Sequence, residues 1–444
     1  MLREGWPAKP AGWGARVTQT LERPARIDVD GQHVVAKIGW RLIPLLTAGF
    51  FIAYLDRVNV GFAALTMNEE MGFTPAFYGW AAGIFFITYC LFEAPSNHVM
   101  HRVGARRWIA RIMVSWGLVA AATAFVWSET SFVVLRLLLG AAEAGFAPGA
   151  ILYLTYWVPA AQRARLLSGF LMAVPLGSAI GAPISGVILT VMDGVAGVSG
   201  WRWLFLIEAL PSIALGFVCF FYLPDRPVDA KWLTDRERDW LEGELGREEP
   251  AHDENYWRAL ADRRVLTLGV AYFGVVMALY GLSFWLPQIV RGFGASLLAA
   301  GVLTAVPYAF GALAMRLWSA SSDRRGETVL HTAIVCAVGS LGLVGAAFAS
   351  SPVVAMIALT LAAVGAVGAL PTFWSFSTLA LGPADAVVGL AVINSIGNLS
   401  GFAGPWLVGL IKGATGEFSD ALLVLALGPA LTAALILRLA PRRR

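Results

Sequence analysis

The sequence predicts an all-α membrane protein of twelve transmembrane helices in two six-helix bundles, with both termini cytoplasmic. Three observations carry that prediction. Hydrophobic residues make up 58% of the 444 and charged residues only 14%, with a mean hydropathy of +0.68; a soluble chain runs nearer about 25% charged. Twelve stretches come close to the ~20 apolar residues that cross roughly 30 Å of hydrocarbon. One long, charge-rich interruption divides those stretches six and six.

Residues 1–40 hold no apolar core of the ~7–15 residues that a cleaved signal needs, so they read as a basic cytoplasmic tail containing proline and glycine. The first span then acts as its own insertion signal. Spans near 42–65, 77–99, 108–127, 132–157, 166–192 and 202–223 build an N-terminal bundle over 41–223. The segment 224–263 (…DRPVDAKWLTDRERDWLEGELGREEPAHDEN…) is a cytoplasmic linker and a domain boundary. Spans near 265–289, 297–318, 329–349, 352–378, 386–411 and 419–439 build a C-terminal bundle over 264–439, followed by a basic tail at 440–444. The fifth and eleventh spans (PLGSAIGAPISG and GNLSGFAGPWLVG) are rich in glycine and proline, which let helices approach closely and bend.

Orientation follows from the basic residues. With both ends inside, 28 lysines and arginines fall in inner segments and three in outer loops, Arg202, Arg291 and Lys412. Without the tail and linker the balance is still 13 to three. An internal echo supports the halving: His101-Arg102-Val103-Gly104 after the second span recurs as Asp323-Arg324-Arg325-Gly326 after the eighth, 222 residues on. Repeated halves point to a secondary transporter with its site where the halves meet. Arg102, Gly104, Arg106, Asp323 and Arg324 are the candidate gating residues of these inner loops.

The chemistry concentrates in the first half. A charge at mid-bilayer costs about 2.5–3.5 kcal/mol on insertion scales, yet the first span contains Asp56-Arg57 and the fourth contains Arg136 and Glu143. Arg136 and Glu143 share a helix face but stand ~10.5 Å apart along the axis, so each needs a partner elsewhere. Asp56 and Asn59 share a face, with Arg57 about 100° round. The alternative is an ion-pair network bracing two helices, although buried pairs are a weak source of stability. For transport the same residues are apt: a buried carboxylate can take and release a proton, and a guanidinium grips a carboxylate with two prongs.

Glu93 and Glu208, each close to a proline, are lesser candidates, and Tyr54 and Tyr89 could hydrogen-bond a substrate. The second half offers amides, hydroxyls and indoles: Trp285, Gln288, Thr372, Trp374, Ser375, Asn394, Ser395 and Asn398. His98 and His101 have helical spacing but no third ligand in view, and Cys90, Cys219 and Cys336 are scattered, so neither metal, disulfide nor cofactor is expected.

YLDRVNVGFA, PSNHVMHRVGARRWIARI, RLLLGAAEAGFAPG, GWRWLFLIEALP, YGLSFWLPQIV and FWSFSTLALGPADAVVGLAVINSIGNLSGFAGP resemble the anion:cation symporter family of the major facilitator superfamily. That family includes bacterial importers of tartrate, phthalate, hexuronates and sugar acids, and the likeness covers about residues 38–439. The first inner-loop motif departs from the superfamily pattern, with Asn97 for the leading glycine and His101 for the acid; the second copy keeps Asp323-Arg324. The resemblance implies that Arg57 and Arg136 face the anion, that Asp56 and Glu143 carry protons, and that Tyr54, Tyr89 and Asn398 line the pocket; Trp374 and Asn394 join them as substrate-binding candidates. Val174-Pro175, where sugar-acid members tend to be polar, leans toward a less hydroxylated or aromatic acid.

The expected function is proton-coupled uptake of a small organic carboxylate by a monomer in a bacterial inner membrane, with anion, protons and lipid as partners and no nucleic acid. An exporter or exchanger on the same fold is the alternative. A membrane-embedded enzyme is more remote, since the sequence contains no HExxH, GxSxG or phosphate-cradling loop. A channel is disfavoured because the charge lies in one half rather than in a ring.

Overall fold

The computed structural model describes residues 30–246 and 256–440, and among these it is helical with no strand. α1 (Gly31–Met71) starts about three turns before the expected first span, capped by the Asp30 side chain on the Gln32 N–H at 3.0 Å and stopped by Gly72 at φ 69°. The second span is two helices, α2 (Pro75–Gly83) and α3 (Phe85–Val103), meeting at Ile84. Thr74 caps α2, and Pro75 opens it where a missing N–H loses no bond. α4 (Ala105–Ala122) follows. The fourth span is also interrupted: α5 (Glu129–Glu143) stops, Gly145 takes φ 90°, and α6 (Phe146–Thr155) begins. α7 (Ala160–Leu171), α8 (Ala173–Val191) and α9 (Gly200–Tyr222) complete the first set.

The linker contributes α10 (Asp235–Leu245) and α11 (Tyr256–Ala261). The second set is α12 (Arg263–Gly292), α13 (Leu297–Arg325), α14 (Val329–Ala347), α15 (Pro352–Thr415) and α16 (Ser419–Leu439). Among the described residues, eleven helices are long and apolar enough to cross a membrane. The difference from twelve lies in α15. Its first stretch, Pro352–Gly382, is one of the eleven, and a kink at Gly382 (φ 74°, ψ 171°) separates it from the stretch that holds the expected span 386–411, which is not counted among them. A single glycine in a conformation that side chains disfavour replaces the polar loop that separates the other spans.

Among the described residues, the broadest contacts between the two sets are those of α1 with α12, α2 with α15, α3 with α15, and α8 with α13. The closest approaches are glycine on backbone. A Cβ on Gly186 would lie 3.1 Å from the Gly301 Cα, one on Gly79 3.0 Å from the Gly409 Cα, and one on Gly61 3.0 Å from the Phe284 carbonyl oxygen. The Gly186–Gly301 and Gly79–Gly409 contacts lie near the ends of the helices remote from the linker, so the halves are pressed together there.

The linker is less a tether than a plate on the first set. Thr234 and Glu237 form a reciprocal capping box at the start of α10. Lys37 of α1 bonds Glu237 at 2.8 Å, the Arg41 guanidinium lies 5.0 Å from the Trp232 ring, and Trp232 stacks on Trp157 at 5.7 Å. Partial burial works against ionisation of Glu237, but bonds from Lys37 and Thr234 outweigh it and hold the carboxyl below its ordinary range. A carboxyl held low stabilises the docked plate above its ordinary pKa, and that contribution fades as pH falls through the bound value. Glu237→Gln is therefore expected to speed amide exchange across 235–245 at neutral pH. Wild-type protein should show the same loosening only on acidification.

Candidate functional site

α1 carries four buried polar side chains within two turns: Tyr54, Asp56, Arg57 and Asn59. Asp56 and Arg57 are neighbours in sequence, yet the helix turns them apart. Asp56 accepts from the Trp116 indole of α4 at 2.7 Å. Arg57 points the other way: one Nη donates to the Glu143 carboxylate and the other to the Tyr280 hydroxyl of α12 at 2.9 Å. Aromatic faces enclose the guanidinium, with Phe85 at 5.4 Å, Phe86 at 5.7 Å and Tyr89 at 4.9 Å. One arginine thus touches both halves of the molecule.

The couples suggested by sequence proximity are re-formed in space. Arg136 does not bond Glu143, in keeping with their separation along α5. Its Nη donates to the Ala82 carbonyl at 2.9 Å, at the α2–α3 interruption, and its guanidinium lies 5.1 Å from the Phe85 ring. Phe85 is therefore close to both guanidinium groups. Glu143 is the last residue of α5, so the break at Ala144–Gly145 fixes where its carboxylate points. Only glycine fits at 145: besides its φ of 90°, a Cβ would stand 2.1 Å from the Ser96 Oγ. Several polar atoms in this region are buried without hydrogen-bond partners, among them Glu143 Oε2, Arg57 Nε, Arg136 Nε and Tyr54 Oη. A ligand carboxylate could occupy the arginine donors once Glu143 lets go.

One turn along α3 from Tyr89, Glu93 accepts from Asn394 at 3.3 Å and Asn398 at 3.5 Å, both on α15. The two candidate amides therefore meet the first half through a carboxylate. Trp374 packs against Tyr272 at 4.7 Å, and Tyr272 stacks on Phe373 at 5.1 Å, giving the second half an aromatic wall. Other polar candidates are spent on architecture. Trp285 donates to the Pro405 carbonyl at 3.0 Å, Thr372 to Ala369 at 3.2 Å and Ser395 to Ala391 at 3.1 Å. His101 bonds the Tyr156 hydroxyl at 2.9 Å.

The inner-loop copies fold differently. Gly104 (φ 95°) lets the Asp225 carboxylate approach the start of α4, where it accepts the Arg106 N–H at 2.9 Å and lies 3.8 Å from the Arg106 side chain. In the second copy Arg324 bonds the Ala320 carbonyl at 3.2 Å, and neither Asp323 nor Arg102 enters an ion pair among the described residues. Its ordered acid is Glu327. Burial opposes charge there, but the bonds from His331 and from the Leu330 and His331 N–H groups keep the carboxyl below its usual range. The echo of sequence does not become a contact between the halves.

Tyr280, Phe85, Phe86 and Trp116 were not singled out from sequence. An aromatic side chain on an apolar helix carries no mark of the charge it faces, whereas the glycine of AEAGFAPG does signal a break beside Glu143.

Comparisons with known proteins bear on the family and the fold. The family model described as Major Facilitator Superfamily matches residues 46–405. A protein of Agrobacterium vitis named for tartrate transport is 47% identical over 397 residues, covering 89% of this chain and 88% of the relative. A quinolone resistance transporter of Acinetobacter baumannii is 38% identical over 401 residues, covering 89% and 92%. The crystal structure of a bacterial homolog of the human lysosomal transporter Spinster, inward-facing and occupied, superposes with a TM-score of 0.74 at 16% identity, covering 91% of this chain and 97% of that one. That likeness speaks to the fold alone. The chain belongs to the major facilitator superfamily and is a multi-pass membrane transporter of the anion:cation symporter type, not an enzyme.

Proposed function

We propose that this protein imports a small organic carboxylate with protons, by alternating access between two six-helix bundles in a bacterial inner membrane. In this reading there are twelve spans, α15 supplying two, both termini are cytoplasmic, and the monomer is the working unit. The observation that carries it is the bonding of Arg57 to Glu143 and Tyr280 together. When Glu143 takes a proton it releases Arg57, and a substrate carboxylate can replace it without leaving a buried guanidinium unpaired. Arg136 offers a second positive group beside the Phe85 ring. Tyr54, Tyr89, Trp374, Asn394 and Asn398 supply the remaining lining, and Asp56 is a second proton carrier. Because Tyr280 belongs to the other half, occupancy of Arg57 is communicated to the interface that must rock. The relative named for tartrate favours a compact, hydroxylated carboxylate, against the lean toward a less hydroxylated or aromatic acid from Val174-Pro175.

A screen of carboxylates by ligand-induced thermal shift on purified protein tests binding. A small carboxylate such as tartrate is expected to raise the unfolding temperature. Arg136→Lys should weaken its apparent affinity by about 10–100-fold, because an ammonium lacks the planar fork that can hold the Ala82 carbonyl and a carboxylate together. An unchanged affinity in that variant would remove Arg136 from the site. Export is the second reading, favoured by the quinolone resistance relative; accumulation of substrate inside inverted vesicles rather than inside cells would support it.

A further inference from the structure

Among the described residues, side-chain hydrogen bonds cross between the two sets of helices at three depths. Toward the ends remote from the linker, the Tyr78 hydroxyl of α2 donates to the Phe284 carbonyl of α12 at 3.2 Å. At mid-depth Arg57 donates to Tyr280. Nearest the linker side, the Asn394 and Asn398 amides of α15 donate to the two carboxylate oxygens of Glu93 on α3, at 3.3 and 3.5 Å. The first two crossings join buried residues, whereas Glu93, Asn394 and Asn398 are all partly exposed.

The third crossing is chemically unlike the others. An ionised carboxylate only accepts hydrogen bonds. Glu93 follows Tyr89 by one turn of α3, about 6 Å along the axis, and the Tyr89 ring lies 4.9 Å from the Arg57 guanidinium. An acid so close to an anion site repels the cargo unless the cargo brings it a donor. Its present donors are neutral amides beyond the usual N–H···O range of about 2.7–3.2 Å. A hydroxyl donating to a carboxylate comes to about 2.5–2.7 Å and bonds more strongly. From the second half, Tyr272 lies against α15 between the two asparagines: a Cβ on Gly397 would stand 2.0 Å from its ring, which packs on Trp374 at 4.7 Å. Those rings offer an apolar face to the carbon chain of a short acid.

We infer that Glu93 is a specificity-determining residue that accepts a hydroxyl of the cargo, so that the site prefers hydroxylated carboxylates to their plain counterparts. Asn394 and Asn398 hold the Glu93 carboxylate across the halves until that hydroxyl arrives. The inference rests on the carboxylate-transport reading and adds to it how the neutral groups of the cargo are read.

The test is a set of affinities measured by isothermal titration calorimetry on the purified protein. Tartrate, malate and succinate carry two, one and no hydroxyls on one four-carbon skeleton; glycerate, lactate and propionate do the same on three carbons. In whichever series binds, wild type is expected to lose about 10–100-fold in affinity from the dihydroxy acid to the plain one. Glu93→Gln is expected to shrink that ratio to within about threefold, because an amide oxygen is a weaker acceptor than a carboxylate. A residue that only braces the fold would weaken every member of a series alike, so a wild-type ratio retained by Glu93→Gln overturns the inference and leaves the anion site at Arg57 standing. Equal affinities for hydroxylated and plain acids in wild type overturn it as well. A wild type that binds none of these acids fails the carboxylate reading itself, and the inference with it. Should Glu93→Gln not fold, Glu93→Asp decides: withdrawing the carboxylate by one methylene is expected to lower the hydroxyl ratio, and an unchanged ratio overturns the inference.

Discussion

Replacing Arg57 with alanine is expected to lower uptake by about 10²–10³-fold. Arg57 is the group that meets Glu143, Tyr280 and three aromatic faces at once. Removing it strands a buried carboxylate, and breaking a buried pair from one side costs about 3–5 kcal/mol. A loss of that size would also follow from a purely structural brace, so the double variant Arg57→Ala/Glu143→Gln is the informative partner. With both charges gone, thermal stability should recover toward wild type while uptake stays lost. Recovery of uptake along with stability would make the pair a brace and nothing more. Radiolabelled carboxylate uptake and unfolding temperature, measured on the same preparations, give the answer.

Glu143→Gln is the second large effect. The glutamine keeps the shape at the end of α5 and can still bond Arg57, but it carries no charge to trade with a proton. Accumulation driven by an imposed pH gradient is expected to fall to equilibration, with equal anion concentrations on the two sides, while exchange of anion for anion continues. Normal gradient-driven accumulation in this variant would take Glu143 out of the coupling step. The position of Glu143 makes it sensitive to backbone changes as well. Gly145→Ala should mimic the loss, because a side chain there meets the Ser96 hydroxyl and the fourth span cannot break where it does.

Much of this was legible in the chain and some was not, for physical reasons. Hydropathy reports on transfer between water and lipid, so the presence of many apolar spans could be read directly. The gap left between the spans ending at 378 and starting at 386 contains Gly382, where the helix is broken by one backbone conformation. The four intramembrane charges announced themselves by their cost. Which acid met which base did not, because helical geometry excluded Arg136–Glu143 but left the partner of each to tertiary packing; Asp56 and Arg57, adjacent in sequence, part company at 100° per residue. The linker shows the opposite case. Thr234-Asp235-Arg236-Glu237 is a helix-starting box visible in sequence, and reading 224–263 only as a charged boundary missed the helix that docks on Lys37. The repeated inner-loop motif was a poor guide to contact, since Asp225 and Glu327, outside the echo, hold the ordered hydrogen bonds.

Proton movement accompanying substrate, recorded with a pH-sensitive dye trapped in proteoliposomes, is the most direct measurement of the coupling assigned to Arg57 and Glu143. On adding the carboxylate outside, with no gradient imposed, the account predicts internal acidification in step with anion entry in wild type and none with Glu143→Gln. Anion entry at full rate with no change in internal pH in wild type would contradict it.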